Sequence, residues 1–142
     1  MKQLHGWLAV VAALVVVALL APAVHAQKTP VKLTKEWTGA VQDETLMKDA
    51  PQCITTKAGL EKLWKAWKIG DKMPEVDFAK EIVVVAVTSG SRLRLSATLD
   101  DKGNLQVLGL GTRDLVPGFR YVIATVSKEG VKTVNGKDLP KE

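Results

Sequence analysis

The stretch EIVVVAVT at residues 81–88 is a continuous run of β-branched and small apolar side chains. A run of this length is too short for most helices and is typical of a central strand that is buried on both faces. Ser89-Gly90 turns the chain, and residues 92–99 then alternate strictly between apolar and polar side chains. This alternation predicts a neighbouring strand with its leucines directed inward. We therefore expect the fold to be built around 81–88.

Further strands are predicted on both sides of this run. Residues 31–37 alternate as a half-buried strand does, and Asp101-Lys102-Gly103-Asn104 has the composition of a hairpin loop. Additional strands are predicted at 105–110, 119–126 and 131–134.

One helix is predicted from Lys57 to Lys68. Its apolar side chains recur at the spacing i, i+3, i+4, i+7, which places them on a single face. Thr56 is a suitable N-cap, and Gly70 marks the end. Two tryptophans on one stripe are also compatible with a ligand platform, but packing in the core is the favoured interpretation. The stripe consists of Leu60, Leu63, Trp64 and Trp67.

These elements predict an α+β fold. We expect a single, mainly antiparallel β-sheet of six or seven strands, with the Leu/Trp-faced helix packed on one face. A Rossmann or barrel fold is excluded because strands do not alternate with helices. Residues 27–142 are expected to form one domain.

The first 26 residues have the pattern of a cleaved signal peptide. Lys2 precedes an apolar run from Trp7 to Ala21, and Val24-His25-Ala26 provides a small-residue cleavage site. The run is short for a membrane-spanning helix, although a retained anchor is the alternative. We therefore predict export to the periplasm or the exterior.

Cleavage after Ala26 would remove both histidines of the chain, His5 and His25. The remaining chain has no imidazole and a single thiol, at Cys53. It cannot form a Ser-His-Asp triad, a Cys-His pair or a histidine metal site. We expect no cofactor, no metal and no enzymatic activity, and we interpret Cys53 as a small buried side chain.

The formal net charge of +5 is mild, because 20 basic residues are interspersed with 15 acidic ones. This excess is compatible with weak contact to an anionic envelope surface. Nucleic-acid binding is disfavoured by the export signal and by the absence of a reading motif.

Arginines form the candidate contact surface. Arg92 and Arg94 lie two residues apart, so they project from the same face of their strand, and Arg120 alternates outward from Phe119 and Tyr121. If the two strands are neighbours, the three guanidinium groups share a surface suited to carboxylate or sulfate recognition. Arg113, in a later loop, is a further candidate contact.

Two carboxylates support an alternative hypothesis, in which the protein is a hydrolase. Asp77 and Asp114 would be its acid and base, which requires a separation of about 5–10 Å. The favoured interpretation is that Asp77 caps a turn through nearby backbone amides. Asp100, Asp101 and Asn104 are compatible with a calcium site but are better explained as a hairpin turn.

The segment from Cys53 to Val87 resembles the PrcB C-terminal-type domain of small exported bacterial proteins. That family is named for an accessory subunit of a surface protease complex. The resemblance lies in a Trp-bearing helix, a Pro-x-Val-Asp-Phe loop and a hydrophobic strand at 82–85. The matching motif residues are Trp64, Trp67, Pro74, Val76, Asp77 and Phe78.

The resemblance implies an accessory role in the envelope, such as stabilising or modulating a protease, and it supplies no catalytic residues. It implies that the motif positions determine the fold. We accordingly expect a non-catalytic exported domain that binds a partner protein through a sheet edge or face. A carboxylate-based hydrolase acting on envelope polymer and an anion-binding surface module are the alternatives.

Overall fold

The structure is a computed structural model that describes residues 27–141. The predicted signal peptide at 1–26 lies outside the described residues. The described part of the chain contains nine strands, one 3-10 helix at Glu44–Asp49 and the α-helix α1 at Lys57–Ala66. The strands are β1 (Thr29–Pro30), β2 (Lys35–Val41), β3 (Cys53–Ile54), β4 (Glu81–Thr88), β5 (Leu93–Leu99), β6 (Asn104–Gly111), β7 (Phe119–Ser127), β8 (Thr133–Val134) and β9 (Lys137–Asp138).

The strands form two sheets. A four-stranded sheet has the order β2-β7-β4-β3, and a five-stranded sheet has the order β1-β5-β6-β8-β9. Every pairing is antiparallel except that of β6 with β8. The α+β character and the mainly antiparallel pairing were predicted correctly. The prediction of a single sheet was wrong, because β4 and β5 are consecutive in the chain but belong to different sheets.

The four-stranded sheet is the middle of three layers. Along β4, Val83 and Val85 face α1, whereas Ile82 and Val84 face the five-stranded sheet. The strand β7 alternates in the same way. Each face of the middle sheet therefore has its own apolar core. We call them the helix-side core, centred on Leu60, Trp67, Val83 and Ile123, and the inter-sheet core, centred on Ile82, Leu105, Val122 and Ala124.

The helix-side core explains the Leu/Trp stripe. The helix α1 begins as predicted, with the Thr56 hydroxyl accepting a bond from the Gly59 amide at 3.2 Å. Trp64 and Trp67 are only 7% and 5% exposed. The Trp67 ring packs edge-on against Phe119, with 5.3 Å between ring centroids, and equally close to Tyr121. Both tryptophans are core residues, as predicted.

The chain passes between the sheets at 31–34. The Val31 amide donates to the Ala97 carbonyl at 2.9 Å, and the Thr34 amide donates to the Thr125 carbonyl at 2.8 Å. Val31 packs against the inter-sheet core. The strand predicted at 31–37 is therefore displaced to β2, because its first residues form this crossing.

The two sheets approach each other closely at the end of β6. A Cβ atom at Gly109 would lie 3.0 Å from the Cβ atom of Ala86, and one at Gly111 would lie 2.8 Å from the Cβ atom of Thr88. Both distances are shorter than an ordinary contact between carbon atoms. The glycines thus allow β6 to pack directly on β4.

We predict that Trp67→Ala lowers the free energy of unfolding by about 3–5 kcal/mol, because it leaves a large cavity beside Phe119 and Tyr121. Lys65→Ala, on the exposed face of the same helix, should change it by no more than about 0.5 kcal/mol. Urea denaturation followed by circular dichroism measures both values. A loss below about 1 kcal/mol for Trp67→Ala would contradict its placement in the core.

Candidate functional site

The candidate site is a cleft of about 680 Å³ that lies between the two sheets. The residues at 91–94 and 110–112 form one wall, at the start of β5 and the end of β6. The opposite wall consists of 38–40 in β2 and 120–122 in β7. Arg92, Arg94 and Arg120 all line this space, which we call the arginine cleft.

The fold brings the three arginines together by a route that differs from the predicted one. The predicted shared surface requires neighbouring strands, but β5 and β7 belong to different sheets. Arg94 lies opposite Leu110 on the outer face of the five-stranded sheet, where Leu110 is half exposed. Arg120 lies opposite Ala40 in β2. The stacking of the sheets, not strand pairing, produces the cleft.

The arginine cleft is positively charged. Its lining contains three arginines and no carboxylate. Among the described residues, no hydrogen bond or ion pair occupies the guanidinium groups of Arg92, Arg94 or Arg120. The hydroxyl groups of Thr38, Ser91 and Thr112 also border the cleft. The guanidinium groups are suited to binding carboxylate or other anionic groups. The Asp114 carboxylate, at the rim of the cleft, is bonded to Ser91 and Thr112 and not to an arginine.

Asp114 fixes the rim of the arginine cleft. Its carboxylate accepts a bond from the Ser91 amide at 3.0 Å and a short bond from the Thr112 hydroxyl. The Thr112 hydroxyl oxygen in turn accepts a bond from the Arg92 amide at 3.1 Å. The hydrogen bonds from Ser91 and Thr112 hold the pKa of the Asp114 carboxyl well below its usual range. Asp114 thus orders the backbone that carries Arg92.

Arg113 does not line the arginine cleft. It is exposed in the loop between β6 and β7, next to Asp114 and to Leu115, whose side chain is 83% exposed. The structure therefore separates this candidate contact from the other three arginines.

Asp77 and Asp114 do not form a pair. The Asp77 carbonyl accepts the Glu81 amide at 2.8 Å, so Asp77 lies beside the first residue of β4. Asp114 bonds to Ser91, which lies beyond Thr88, the last residue of β4. An eight-residue strand spans roughly 25 Å, well above the separation that paired carboxylates need.

Asp77 closes a turn, as its favoured interpretation predicted. The Asp77 carboxylate accepts a bond from the Ala79 amide at 3.1 Å. The remaining motif residues support the same part of the fold. Val76 and Phe78 pack against the helix-side core, and Pro74 lies with them beside Leu60.

The hairpin between β5 and β6 uses its oxygen atoms internally. The Asp100 carboxylate accepts bonds from the Lys102 and Asn104 amides, both at 2.9 Å. The Asn104 side chain accepts from the Thr133 hydroxyl and the Gly136 amide, also at 2.9 Å. The described residues contain no group of three or more His, Cys, Asp or Glu that could hold a metal ion.

A second, more apolar cleft of about 580 Å³ lies beside α1. Cys53, Leu63 and Trp67 line it, and its charged lining residues are Asp49 and Lys62. Burial raises the pKa of the Cys53 thiol to about 11. The thiol is therefore protonated at neutral pH, in agreement with the interpretation of Cys53 as a small buried side chain.

The hydroxyl groups of the arginine cleft were not predicted. Thr38, Ser91 and Thr112 come from three separate segments, and each lies just outside the strand patterns predicted for its segment. Their convergence depends on how the sheets stack, which strand patterns do not contain.

No helix in the described range is both long enough and apolar enough to cross a membrane. No family model matches the chain, and neither the curated proteins nor the solved structures contain a significant match.

We predict that Asp114→Asn destabilises the rim of the arginine cleft. The pKa of Asp114 is depressed in the folded state, so its carboxylate stabilises the fold above the ordinary aspartate pKa of about 4. That contribution is lost as the pH falls through the lower pKa that Asp114 has in the folded state. The difference in unfolding free energy between the parent and Asp114→Asn should therefore be constant above about pH 4 and narrow below it.

Chemical denaturation at a series of pH values measures this difference, and amide exchange at Ser91 reports on the rim itself. Asp101→Asn, in the exposed hairpin loop, is the matched control. A difference that stays the same down to strongly acidic pH would contradict the role of the Asp114 charge.

Proposed function

We propose that this protein is a non-catalytic binding domain that acts after export and engages an acidic segment of a partner protein through the arginine cleft. The observation that carries this proposal is the presence of three arginines and no carboxylate in one cleft between the sheets. Guanidinium groups form strong, charge-assisted hydrogen bonds with carboxylates.

The shape of the arginine cleft favours a narrow polypeptide over a membrane surface. Its two walls belong to different sheets, and the half-buried Arg120 lies between them, where a narrow chain can reach it more easily than a flat layer of headgroups. The outward-facing lysines of α1 lie on the opposite side of the middle sheet and contribute nothing to this recess.

The resemblance of 53–87 to the PrcB C-terminal-type domain bears on the identity of the partner. That resemblance makes a protease, or another subunit of its complex, a candidate partner. The apolar run at 7–21 and the small residues that follow it support export to the periplasm or the exterior.

The proposal predicts that an acidic peptide binds to the arginine cleft. We expect fluorescence anisotropy at low ionic strength to detect binding of a labelled peptide rich in Asp and Glu, and not of its Asn/Gln counterpart. Arg120→Ala should weaken binding about tenfold, because the half-buried Arg120 makes a charge-assisted bond worth about 1.5–3 kcal/mol. The more exposed Arg92 and Arg94 should each contribute less.

A matched control separates the site from net charge. The triple variant Arg92→Ala, Arg94→Ala, Arg120→Ala and the triple variant Lys57→Ala, Lys62→Ala, Lys65→Ala lose the same number of positive charges. The lysines are exposed on α1, on the opposite side of the middle sheet. Equal weakening by both variants would overturn the proposal, as would tighter binding of a sulfated polysaccharide or of anionic vesicles.

A further inference from the structure

The arginine cleft runs along an unfinished strand edge. In the five-stranded sheet, β5 lies between β6 and the two-residue strand β1. The strand β1 pairs only with Thr98 and Leu99, and the Val31 amide reaches the Ala97 carbonyl. Residues 93–96 have no strand partner on that side within the described part of the chain.

The hydrogen-bonding direction of each residue in β5 follows from two contacts. The Arg92 carbonyl accepts a bond from the Thr112 amide next to β6, whereas the Ala97 carbonyl accepts from Val31 on the other side. Successive residues of a strand direct their backbone groups to opposite sides. Arg94 and Ser96 therefore bond toward β6, and Leu93 and Leu95 present their amide and carbonyl groups to the open edge.

The space beside this edge is floored by small side chains. Thr38 and Ala40 of β2 face the five-stranded sheet, because they lie opposite Val122 and Arg120 in the register of β2 with β7. Both are exposed. The floor thus leaves room for an added chain, and Arg120 stands at its inner side.

We infer that the acidic segment binds as an added β-strand, paired with the open edge of β5 at residues 93–96. This inference rests on the proposed function and specifies its geometry. Strand addition supplies main-chain hydrogen bonds from Leu93 and Leu95, and the arginines supply selection for charge. The added strand lies in line with β1.

The positions of the arginines define the side chains of the ligand. Arg92 and Arg94 lie on the outer face of the five-stranded sheet, whereas Arg120 lies beneath it. Successive side chains of an added strand alternate between these two faces. The geometry therefore selects acidic residues at adjacent positions, one directed outward to Arg94 and the next inward to Arg120.

The test uses peptides of about nine residues, with acidic side chains only at the three central positions. One peptide carries N-methyl groups on two consecutive central amides, and its matched control carries two on the terminal amides. Composition and charge are identical, so only the position of the lost donors differs. Central methylation should weaken binding to the purified protein about tenfold or more, and terminal methylation less than about threefold.

Amide hydrogen exchange locates the pairing. Binding of the unmethylated peptide should slow exchange at Leu93 and Leu95, and should leave exchange in β2 unchanged. Equal affinity of the two methylated peptides, or protection at the outer edge of β2 instead, would overturn strand addition at β5. In both of these cases the proposed function stands if Arg120→Ala still weakens binding. Absence of any binding of acidic peptide would overturn both.

Discussion

The architecture depends on the burial of the middle sheet on both of its faces. Ile82, Val83 and Val84 are fully buried although they point alternately to opposite sides. Burying each such side chain stabilises the fold by roughly 1.5–3 kcal/mol. Both faces of β4 must therefore be covered by apolar side chains. The helix α1 covers one face with its Leu/Trp stripe. The other face requires a second apolar surface, and the five-stranded sheet provides it.

The arginine cleft follows from where this second sheet ends. It covers β4 and β7, whose inter-sheet residues Val122 and Ala124 are at most 1% exposed. It stops short of Thr38 and Ala40 in β2, which remain exposed on the same face. The step between the two sheets is therefore a consequence of their unequal overlap. Arg120 extends into that step from the middle sheet, and Arg92 and Arg94 border it at the start of β5.

The sequence predicted the elements better than their assembly. Local patterns located β4, β5 and α1 within one or two residues, because alternation and helical spacing are properties of each segment alone. A strand buried on both faces, as 81–88 is, indicates two covering layers. The pattern does not show which elements cover it, because a tight turn at Ser89-Gly90 fits a hairpin within one sheet as well as a crossing between sheets. The meeting of the arginines was likewise conditional on an arrangement that only the stacked sheets determine.

An open strand edge is a hazard unless its chemistry restricts what pairs with it. In this fold β1, β3 and β9 limit three sheet edges with strands of two residues each, a common protection against aggregation. The open half of β5, at residues 93–96, is long enough to pair with another strand, but it contains Arg94 and follows directly after Arg92. Two copies paired edge to edge would bring like charges together, which is unfavourable by an amount that grows as water is excluded. The same arginines that attract an acidic strand therefore discourage pairing of the protein with itself.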